Sequence, residues 1–216
     1  IGIVSGRCFA GNAALLGCCD VVIATEDSNL GMAGPAMIEG GGLGRVQADE
    51  VGPVSVQSPN GVIDLRVADE AAAVAAARQY LGYFQGPLAG DAAPGGDPLS
   101  LRLALPENRN ALYDPRAIIQ TIMDAGSVLE LRRDFGVGVI TALARLGGRA
   151  VAVAASQPRL LGGALDAPGC DKLARFMQLA DAFGLPLITF VDTPGFMVGP
   201  ESEKTAMVRR AGRLFV

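Results

Sequence analysis

The chain has 216 residues, of which 50% are apolar and 19% are charged, and its formal net charge is −4. This composition is typical of a globular protein with a sizeable core, and its charge gives no reason to expect a nucleic acid or a membrane surface as a partner. The chain contains no histidine, which excludes a histidine-based catalytic triad or a histidine-ligated zinc within it. Chemistry would therefore depend on backbone amides, carboxylates, lysine, tyrosine or a bound cofactor.

The four cysteines lack the paired spacing of a metal knuckle or a disulfide framework. We interpret the adjacent Cys18 and Cys19 as small buried side chains, and we expect no bound metal and a reducing, cytoplasmic location. No apolar run reaches the ~18–20 residues that span a bilayer. The chain begins inside a strand pattern and stops inside a helical pattern, which favours a fragment of a longer protein.

The first half of the chain predicts strands alternating with helices. Short apolar runs predict buried strands, small apolar residues predict a helix packed tightly on a sheet, and acidic residues open a longer helix, where the helix dipole favours them. In chain order we predict a strand at 1–5, a turn at 6–12, a helix at 13–18, a strand at 20–24, a turn at 25–29, a glycine-rich loop ending at 44, a turn and strand at 60–67, and a helix at 69–83.

The second half follows a similar plan after a stretch rich in glycine, proline and aspartate, which is the best linker candidate. Together the two halves predict an α/β fold with largely buried sheets. The predicted elements are a linker at 85–114, a helix at 115–124, strands at 139–146 and 150–155 joined by Gly147-Gly148, a helix at 170–183, a strand at 186–192, a turn at 193–199 and a final helix from about 201.

The turn at 6–12 is the first candidate site. A helix that starts near Gly11 leaves its first amides without intrahelical acceptors, at the positive end of the helix dipole, where they can stabilise a developing oxyanion. Gly11 allows another molecule to approach the backbone, and Asn12 tolerates a positive φ. The alternative is a small-residue helix that only packs on a sheet, which is common in α/β proteins.

Two stretches resemble a known family. The segment "GRCFAGNAALLGCCDVVIATEDSNLGM" resembles the oxyanion segment of the crotonase superfamily, and "QPRLLGGALDAPGCDKLARFMQLADAFGLPLITFVDTPGFMVG" resembles the biotin-dependent acyl-CoA carboxyltransferases, such as the β subunits of acetyl- and propionyl-CoA carboxylase. Residues 106–153 also resemble the join between the two domains of that family.

The resemblance implies two crotonase-like (ClpP/crotonase) ββα superhelix domains in tandem, each only partly present. Residues 1–84 would be the C-terminal part of the first domain, 85–114 the linker, and 115–216 the N-terminal part of the second. The backbone amides of Gly11 and Asn12 would bind the thioester oxygen of the acyl-CoA. The family usually has Gly-Gly there, so Asn12 departs from its pattern.

The resemblance further implies an enzyme that moves CO2 from carboxybiotin to the α-carbon of a short acyl-CoA, acetyl- or propionyl-CoA, through a thioester enolate. Biotin would arrive on a carrier domain or subunit, with a biotin carboxylase as a further partner. The family also implies a homo-oligomer, with active sites between the first domain of one subunit and the second of another. The second amide pair would lie beyond Val216, so we expect the isolated fragment to be inactive.

The remaining candidates have two interpretations each. Gly162, Gly163, Gly195 and Phe196 follow strands in glycine turns, and they either line the biotin side or are close-packed turns. Cys8, Phe9 and Ala10 flank the oxyanion turn and are candidate CoA contacts. Lys172 and Arg175 are three apart on one helix, so they either contact CoA phosphates or form a solvated face. Asp166 and Asp192 fit turn and strand-end caps better than acids or bases.

Two other functions remain open. One is an enoyl-CoA hydratase or isomerase; in the resembling family hydratases carry glutamates on both sides of the turn, whereas the equivalent positions here hold Ala14 and Gly34, which cannot act as acid or base and so count against hydration. A non-catalytic crotonase-like scaffold is compatible with the same missing side chains.

Overall fold

A computed structural model describes residues 1–88, 93–108 and 111–216. Residues 89–92 and 109–110, which belong to the predicted linker at 85–114, lie outside the described residues. The chain divides into two compact units, Ile1–Gln79 and Tyr80–Val216. The predicted boundaries at 84 and 114 stay predictions.

The first unit contains two small parallel sheets. The strand order in the larger sheet is β1-β3-β5, while β2 and β4 form a separate pair in which Cys8 lies opposite Leu30. The elements of this unit are β1 (Gly2–Val4), β2 (Arg7–Phe9), α1 (Gly11–Gly17), β3 (Val22–Thr25), β4 (Asn29–Gly31), α2 (Pro35–Gly40), α3 (Val54–Gln57), β5 (Leu65–Val67) and α4 (Glu70–Gly82), which runs past the division between the units.

An apolar cluster between the sheets and helix α1 forms the core of the first unit. It includes Val4, Leu16 and Leu30, with Cys8 and Cys19 packed against it. Cys18 is exposed, so the expectation of two buried neighbouring cysteines is wrong for this residue. Helix α1 buries one narrow side, and Cys18 follows its last turn on the opposite side.

The second unit is built on one four-stranded mixed sheet in the order β6-β7-β8-β9. The hairpin β7–β8 is antiparallel, with Val139 opposite Ser156, and β9 lies parallel to β8. The elements are α5 (Pro115–Ile122), β6 (Leu129–Leu131), β7 (Val139–Leu146), β8 (Arg149–Ser156), α6 (Ala167–Ala182), β9 (Leu187–Phe190), α7 (Pro200–Glu203) and α8 (Met207–Gly212).

Both faces of strand β7 are buried. Ile140 and Ala142 belong to a cluster that includes Ile119 and Met123 near helix α5, and the alternating residues Thr141 and Leu143 are equally buried. A strand enclosed on both sides has a nearly continuous apolar sequence rather than an alternating one, and "VITALARL" follows this rule except at Thr141 and Arg145.

A buried arginine holds the glycine turn of the hairpin. Arg145 is 6% exposed, and its guanidinium donates to the carbonyl oxygens of Gly82 at 2.5 Å, Gly86 at 3.2 Å and Gly148 at 2.6 Å. The carboxylate of Asp124 accepts from the amides of Gly147 and Gly148 at 2.9 and 2.7 Å. Three carbonyl dipoles thus stabilise a positive charge that burial alone would disfavour.

Three local predictions need correction. The predicted turn at 6–12 contains strand β2, the predicted loop that ends at 44 contains helix α2, and the predicted final helix is two short helices. The last break occurs at Ala206, which has a left-handed φ of 57°.

Candidate carboxyl-transfer site

The turn at the start of α1 carries an unusual backbone conformation. Strand β2 ends at Phe9 and α1 begins at Gly11, so Ala10 alone makes the connection. Its φ is 56° and its ψ is −129°, a region that a residue with a Cβ rarely adopts. The turn is fixed from both sides, because the Ala10 amide donates to the Gly31 carbonyl at 3.0 Å and the Ala10 carbonyl accepts from Ala14 at 3.1 Å.

This turn presents open amides at the start of the helix. Gly11 and Asn12 are both exposed, and their amides have no acceptor in the part of the chain that the structure describes. A Cβ added at Gly11 would meet nothing within 4 Å. The space in front of Gly11 is therefore open to another molecule.

The residues before the turn face in different directions. The Cys8 side chain packs against the core cluster, and burial raises the pKa of its thiol. The Phe9 ring lies against Gly34, where an added Cβ would come 3.2 Å from the ring. Of the three predicted CoA contacts at 8–10, Cys8 thus has its side chain turned into the protein.

The two predicted glycine turns of the second unit lie side by side. Leu165 donates its amide to the Gly195 carbonyl at 2.9 Å and accepts from the Met197 amide at 2.8 Å. Gly163, with a φ of +84°, packs so closely on the Asp192 carbonyl that an added Cβ would lie 2.1 Å from this oxygen. The structure therefore brings the turn at 162–163 and the turn at 195–196 together.

The Phe196 amide faces away from this contact. In a parallel bridge, the residue opposite Leu165 directs its own N–H and C=O to the other side. The Phe196 amide has no acceptor within the described ranges. Next to these turns is a cavity of about 180 Å³ between α6 and the strands β8 and β9, lined by apolar side chains together with Ser156 and Thr193.

The interpretation of Lys172 and Arg175 as a solvated helix face is wrong for Lys172. Lys172 is 1% exposed and donates from Nζ to the Val139 carbonyl at 2.6 Å, whereas Arg175 is exposed. Burial lowers the pKa of the Lys172 ammonium to about 8. A buried amine bound to the backbone is not placed to contact CoA phosphates, so that role is left to Arg175 alone. Helical spacing indicated that the two are neighbours, but not where the boundary of the buried face falls.

Asp166 is a helix cap, as expected, because its carboxylate accepts from the Gly169 amide at 2.8 Å at the start of α6. Asp192 has a different partner, since its Oδ2 accepts from the Tyr113 hydroxyl at 2.8 Å. Burial and then this hydrogen bond and the charge of Asp192 raise the pKa of Tyr113 to about 12. Tyr113 was not identified from the sequence as a residue near the site. Its position directly before Asp114, the N-cap of α5, was the feature of the sequence that could have drawn attention to it.

Comparison with known proteins places these features in one family. The model of the protein family described as "Carboxyl transferase domain" matches residues 1–215 of this chain. The chain belongs to this family. The resemblance to the biotin-dependent acyl-CoA carboxyltransferases is thereby confirmed.

The relatives include a carboxylase subunit and a carboxyltransferase subunit. The chain is 35% identical over 225 residues to the biotin-dependent long chain acyl-coenzyme A carboxylase beta4 subunit of Mycobacterium tuberculosis, covering 99% of this chain and 43% of that protein. It is 30% identical to the methylmalonyl-CoA carboxyltransferase 12S subunit of Propionibacterium freudenreichii, covering 99% and 42%. The chain thus spans less than half the length of these relatives.

Solved structures confirm the fold. A single-chain, multi-domain long-chain acyl-CoA carboxylase matches with a TM-score of 0.95 and 55% identity, over 99% of this chain and 22% of that one. The transcarboxylase 12S hexamer, with hydrolysed methylmalonyl-CoA bound, matches with a TM-score of 0.85 and 30% identity, over 98% and 43%. The expected α/β, crotonase-like class is therefore correct. None of the helices in the described ranges is both long and apolar enough to cross a bilayer.

Proposed function

We propose that the whole protein transfers a carboxyl group from carboxybiotin to the α-carbon of an acyl-CoA thioester. The observation that carries this proposal is the family match over residues 1–215, and the open amides at the turn before α1 support it, because the resemblance assigns the thioester oxygen to this turn. When bound, biotin supplies the carboxyl group and a ureido nitrogen that takes the proton.

In this proposal the amides of Gly11 and Asn12 bind the thioester oxygen. Removal of the α-proton places negative charge on that oxygen, and one preorganised donor to such a charge is typically worth about 3–4 kcal/mol. Ala10 supports this role, because its strained φ and ψ direct the chain from strand into helix without an intervening loop. Asn12 supplies a backbone donor as glycine would, so the departure from Gly-Gly changes the shape of the site and not its donors.

The residues of the second unit fit a bicyclic, largely apolar group with a polar urea edge. We propose that the turns containing Gly162, Gly163, Gly195 and Phe196 hold this group. The close backbone approach at Gly163 and the outward amide of Phe196 support this assignment, together with the adjoining apolar cavity. Such a combination of apolar walls and a few fixed donors is the usual form of a cofactor site.

The competing hydration reaction lacks the two acidic side chains that it would need. Ala14 lies in α1, and Gly34 packs against the Phe9 ring, where a carboxylate side chain would clash. A non-catalytic scaffold is distinguished by binding, because a scaffold would bind neither acyl-CoA nor carboxybiotin.

The length of the preferred acyl chain has to be measured. We expected acetyl- or propionyl-CoA from the resemblance, whereas two of the similar proteins are named for long-chain acyl-CoA. The full-length protein, supplied with a biotin carboxylase and a carrier, should fix radiolabelled bicarbonate into acetyl-, propionyl- or palmitoyl-CoA. Absence of product with all three would contradict the proposal.

Assembly and location are also proposals. We propose a homo-oligomer, in line with the hexamer described for the 12S transcarboxylase, and a cytoplasmic location. An intact protein that sediments as a monomer and still turns over would contradict the oligomer.

A further inference from the structure

Two consecutive residues outside the proposed site contact both of the loops that form its biotin side. Tyr113 and Asp114 lie just before helix α5. Tyr113 donates to Asp192, which follows β9, whereas Asp114 accepts from Gln157, which follows β8. Strands β8 and β9 are parallel, so both loops start at the same edge of the sheet.

The first contact fixes the loop that leads to Gly195. Asp192 is held at three points, since its amide donates to Ser156 Oγ at 3.2 Å, its carboxylate accepts from Tyr113 at 2.8 Å, and its carbonyl packs on Gly163. The Tyr113 hydroxyl stays protonated throughout any ordinary assay, because the pKa of this phenol is raised to about 12. Among the hydrogen bonds of the described residues, Asp192 makes one to a side chain outside the two loops and their strands. That partner is Tyr113.

The second contact fixes the loop that leads to Gly162. Gln157 is 3% exposed, and its Nε2 donates to Asp114 Oδ1 at 3.1 Å, while Arg159 lies 3.5 Å from Asp114 Oδ2. Burial would raise the pKa of Asp114, but hydrogen bonds from the Arg116 amide and Gln157, with the charges of Arg116 and Arg159, lower it. Asp114 therefore stays a charged acceptor.

We infer that Tyr113 and Asp114 are positioning residues that hold the two glycine turns of the proposed biotin side in register with each other. This inference rests on the proposed function of those turns. Tyr113 acts through Asp192 and the chain to Gly195 and Phe196, and Asp114 acts through Gln157 and the chain to Gly162. Neither side chain needs to touch the cofactor.

The test uses the full-length protein, assayed in the reverse direction, with biocytin as carboxyl acceptor and the carboxylated product of its preferred acyl-CoA as donor. Tyr113→Phe removes one hydrogen bond to a charged group, so the biotin side should be held less firmly in its binding geometry. The free energy of such a bond corresponds to about a tenfold change in affinity, and we expect a rise of this size in the KM for biocytin. The KM for the CoA donor should stay within twofold of that of the unmodified protein, roughly the scatter of such comparisons. In an Asp192→Ala background, Tyr113→Phe should add nothing.

Tyr83→Phe is the matched control. The Tyr83 hydroxyl also donates to the protein, to the Ser127 carbonyl, but Tyr83 lies beside Arg145 and away from both glycine turns. This variant should lose stability without a change in the KM for biocytin. Equal biocytin KM values for Tyr113→Phe and the unmodified protein would overturn the inference, as would an undiminished effect in the Asp192→Ala background.

A readout without turnover separates this inference from the proposed function. Amide hydrogen exchange of residues 191–197 should be faster in Tyr113→Phe than in Tyr83→Phe at the same global stability. If the unmodified protein transfers no carboxyl group, the proposed function fails while the exchange result still tests the contact. If exchange in that loop is unchanged, the positioning role is refuted.

Discussion

The amine nitrogen of Lys172 lies 2.6 Å from the carbonyl oxygen of Val139, and only 1% of the lysine is exposed. Helix α6 therefore carries an ionisable group into the face of strand β7. The nearest charges act in opposite directions, since Glu130 and Asp134 favour the ammonium form while Arg116 and Arg132 oppose it. Burial outweighs them, and it lowers the pKa of Lys172 from 10.5 to about 8.

This contact by itself makes a contribution to stability that rises with pH, whereas the raised pKa values of Cys170 and Tyr113 make contributions that fall at alkaline pH. The pKa of Lys172 is lower in the folded than in the unfolded state, so the unfolded chain binds more protons between about pH 8 and 10.5. The cost of burying the charge is full below pH 8 and disappears as the pH rises to 10.5, a change of roughly 3 kcal/mol. In urea titrations from pH 7 to 10, Lys172→Met should remove this rise. Lys204→Met, at an exposed lysine paired with Glu201, should keep it, and equal slopes for both variants would contradict the prediction.

A valine at Gly11 should abolish carboxyl transfer while leaving the fold intact. Apart from the adjacent backbone, no atom of the described residues lies within 4 Å of the added Cβ, so the side chain would occupy the space proposed for the thioester. We expect kcat to fall by at least about 10²–10³, because the side chain would keep the thioester oxygen from reaching the amides, a loss no smaller than that of one oxyanion donor. Gly17→Val is the control, because Gly17 is equally open at the other end of the same helix. Normal turnover by Gly11→Val, with an unchanged circular dichroism spectrum, would refute the oxyanion assignment.

Glycine at position 10 should stabilise the protein. Ala10 has a φ of 56° and a ψ of −129°, and such a conformation costs on the order of 1–3 kcal/mol for a residue with a Cβ, part of which glycine regains. We expect Ala10→Gly to raise the free energy of unfolding by about 1 kcal/mol. Ala13→Gly, three residues on in regular helix, should lower it by about 1 kcal/mol. Denaturant titrations measure both, and a loss of stability in Ala10→Gly would show that the conformation is not strained.

The two neighbouring glycines of the second unit should differ in tolerance. Gly162 and Gly163 both have positive φ values, +60° and +84°, but only Gly163 faces a backbone atom at 2.1 Å from the added Cβ. Gly162→Ala should cost about 1 kcal/mol for the left-handed conformation alone. Gly163→Ala must displace the Asp192 carbonyl as well, so we expect a total loss of about 2–4 kcal/mol, the left-handed conformation plus the usual cost of an overpacked site. Similar unfolding midpoints for the two variants would contradict the close packing seen here.

The elements that the sequence predicted well are those with long, uniform apolar runs. The hairpin β7–β8 was placed within one residue, because "VITALARL" and "RAVAVAAS" are mostly apolar and Gly147-Gly148 separates them. Strand β2 was missed because its three residues form no run, and its pairing with β4 depends on a partner about twenty residues away. Local pattern does not contain such pairing information.

For the candidate site, too, features that depend on local sequence could be predicted and features that depend on long-range contacts could not. Gly11 and the glycine turns could be placed from local chemistry and from the family resemblance. The burial of Lys172 could not, because helical spacing is silent about which side meets the sheet. The contact between Tyr113 and Asp192 joins residues 79 apart in the chain, and only the folded chain reveals it.

The hydrogen bonds of Arg145 to Gly82, Gly86 and Gly148 have a consequence for which residues these positions can hold. All three of its acceptors are carbonyl oxygens of the main chain, which every amino acid possesses. Arg145 itself therefore sets no requirement on the side chains of its three acceptors, although Tyr83, which is buried and lies against the guanidinium, is held in place by its own contacts. Arg145 thus depends on the course of the main chain and not on the identity of the residues that provide the carbonyl oxygens.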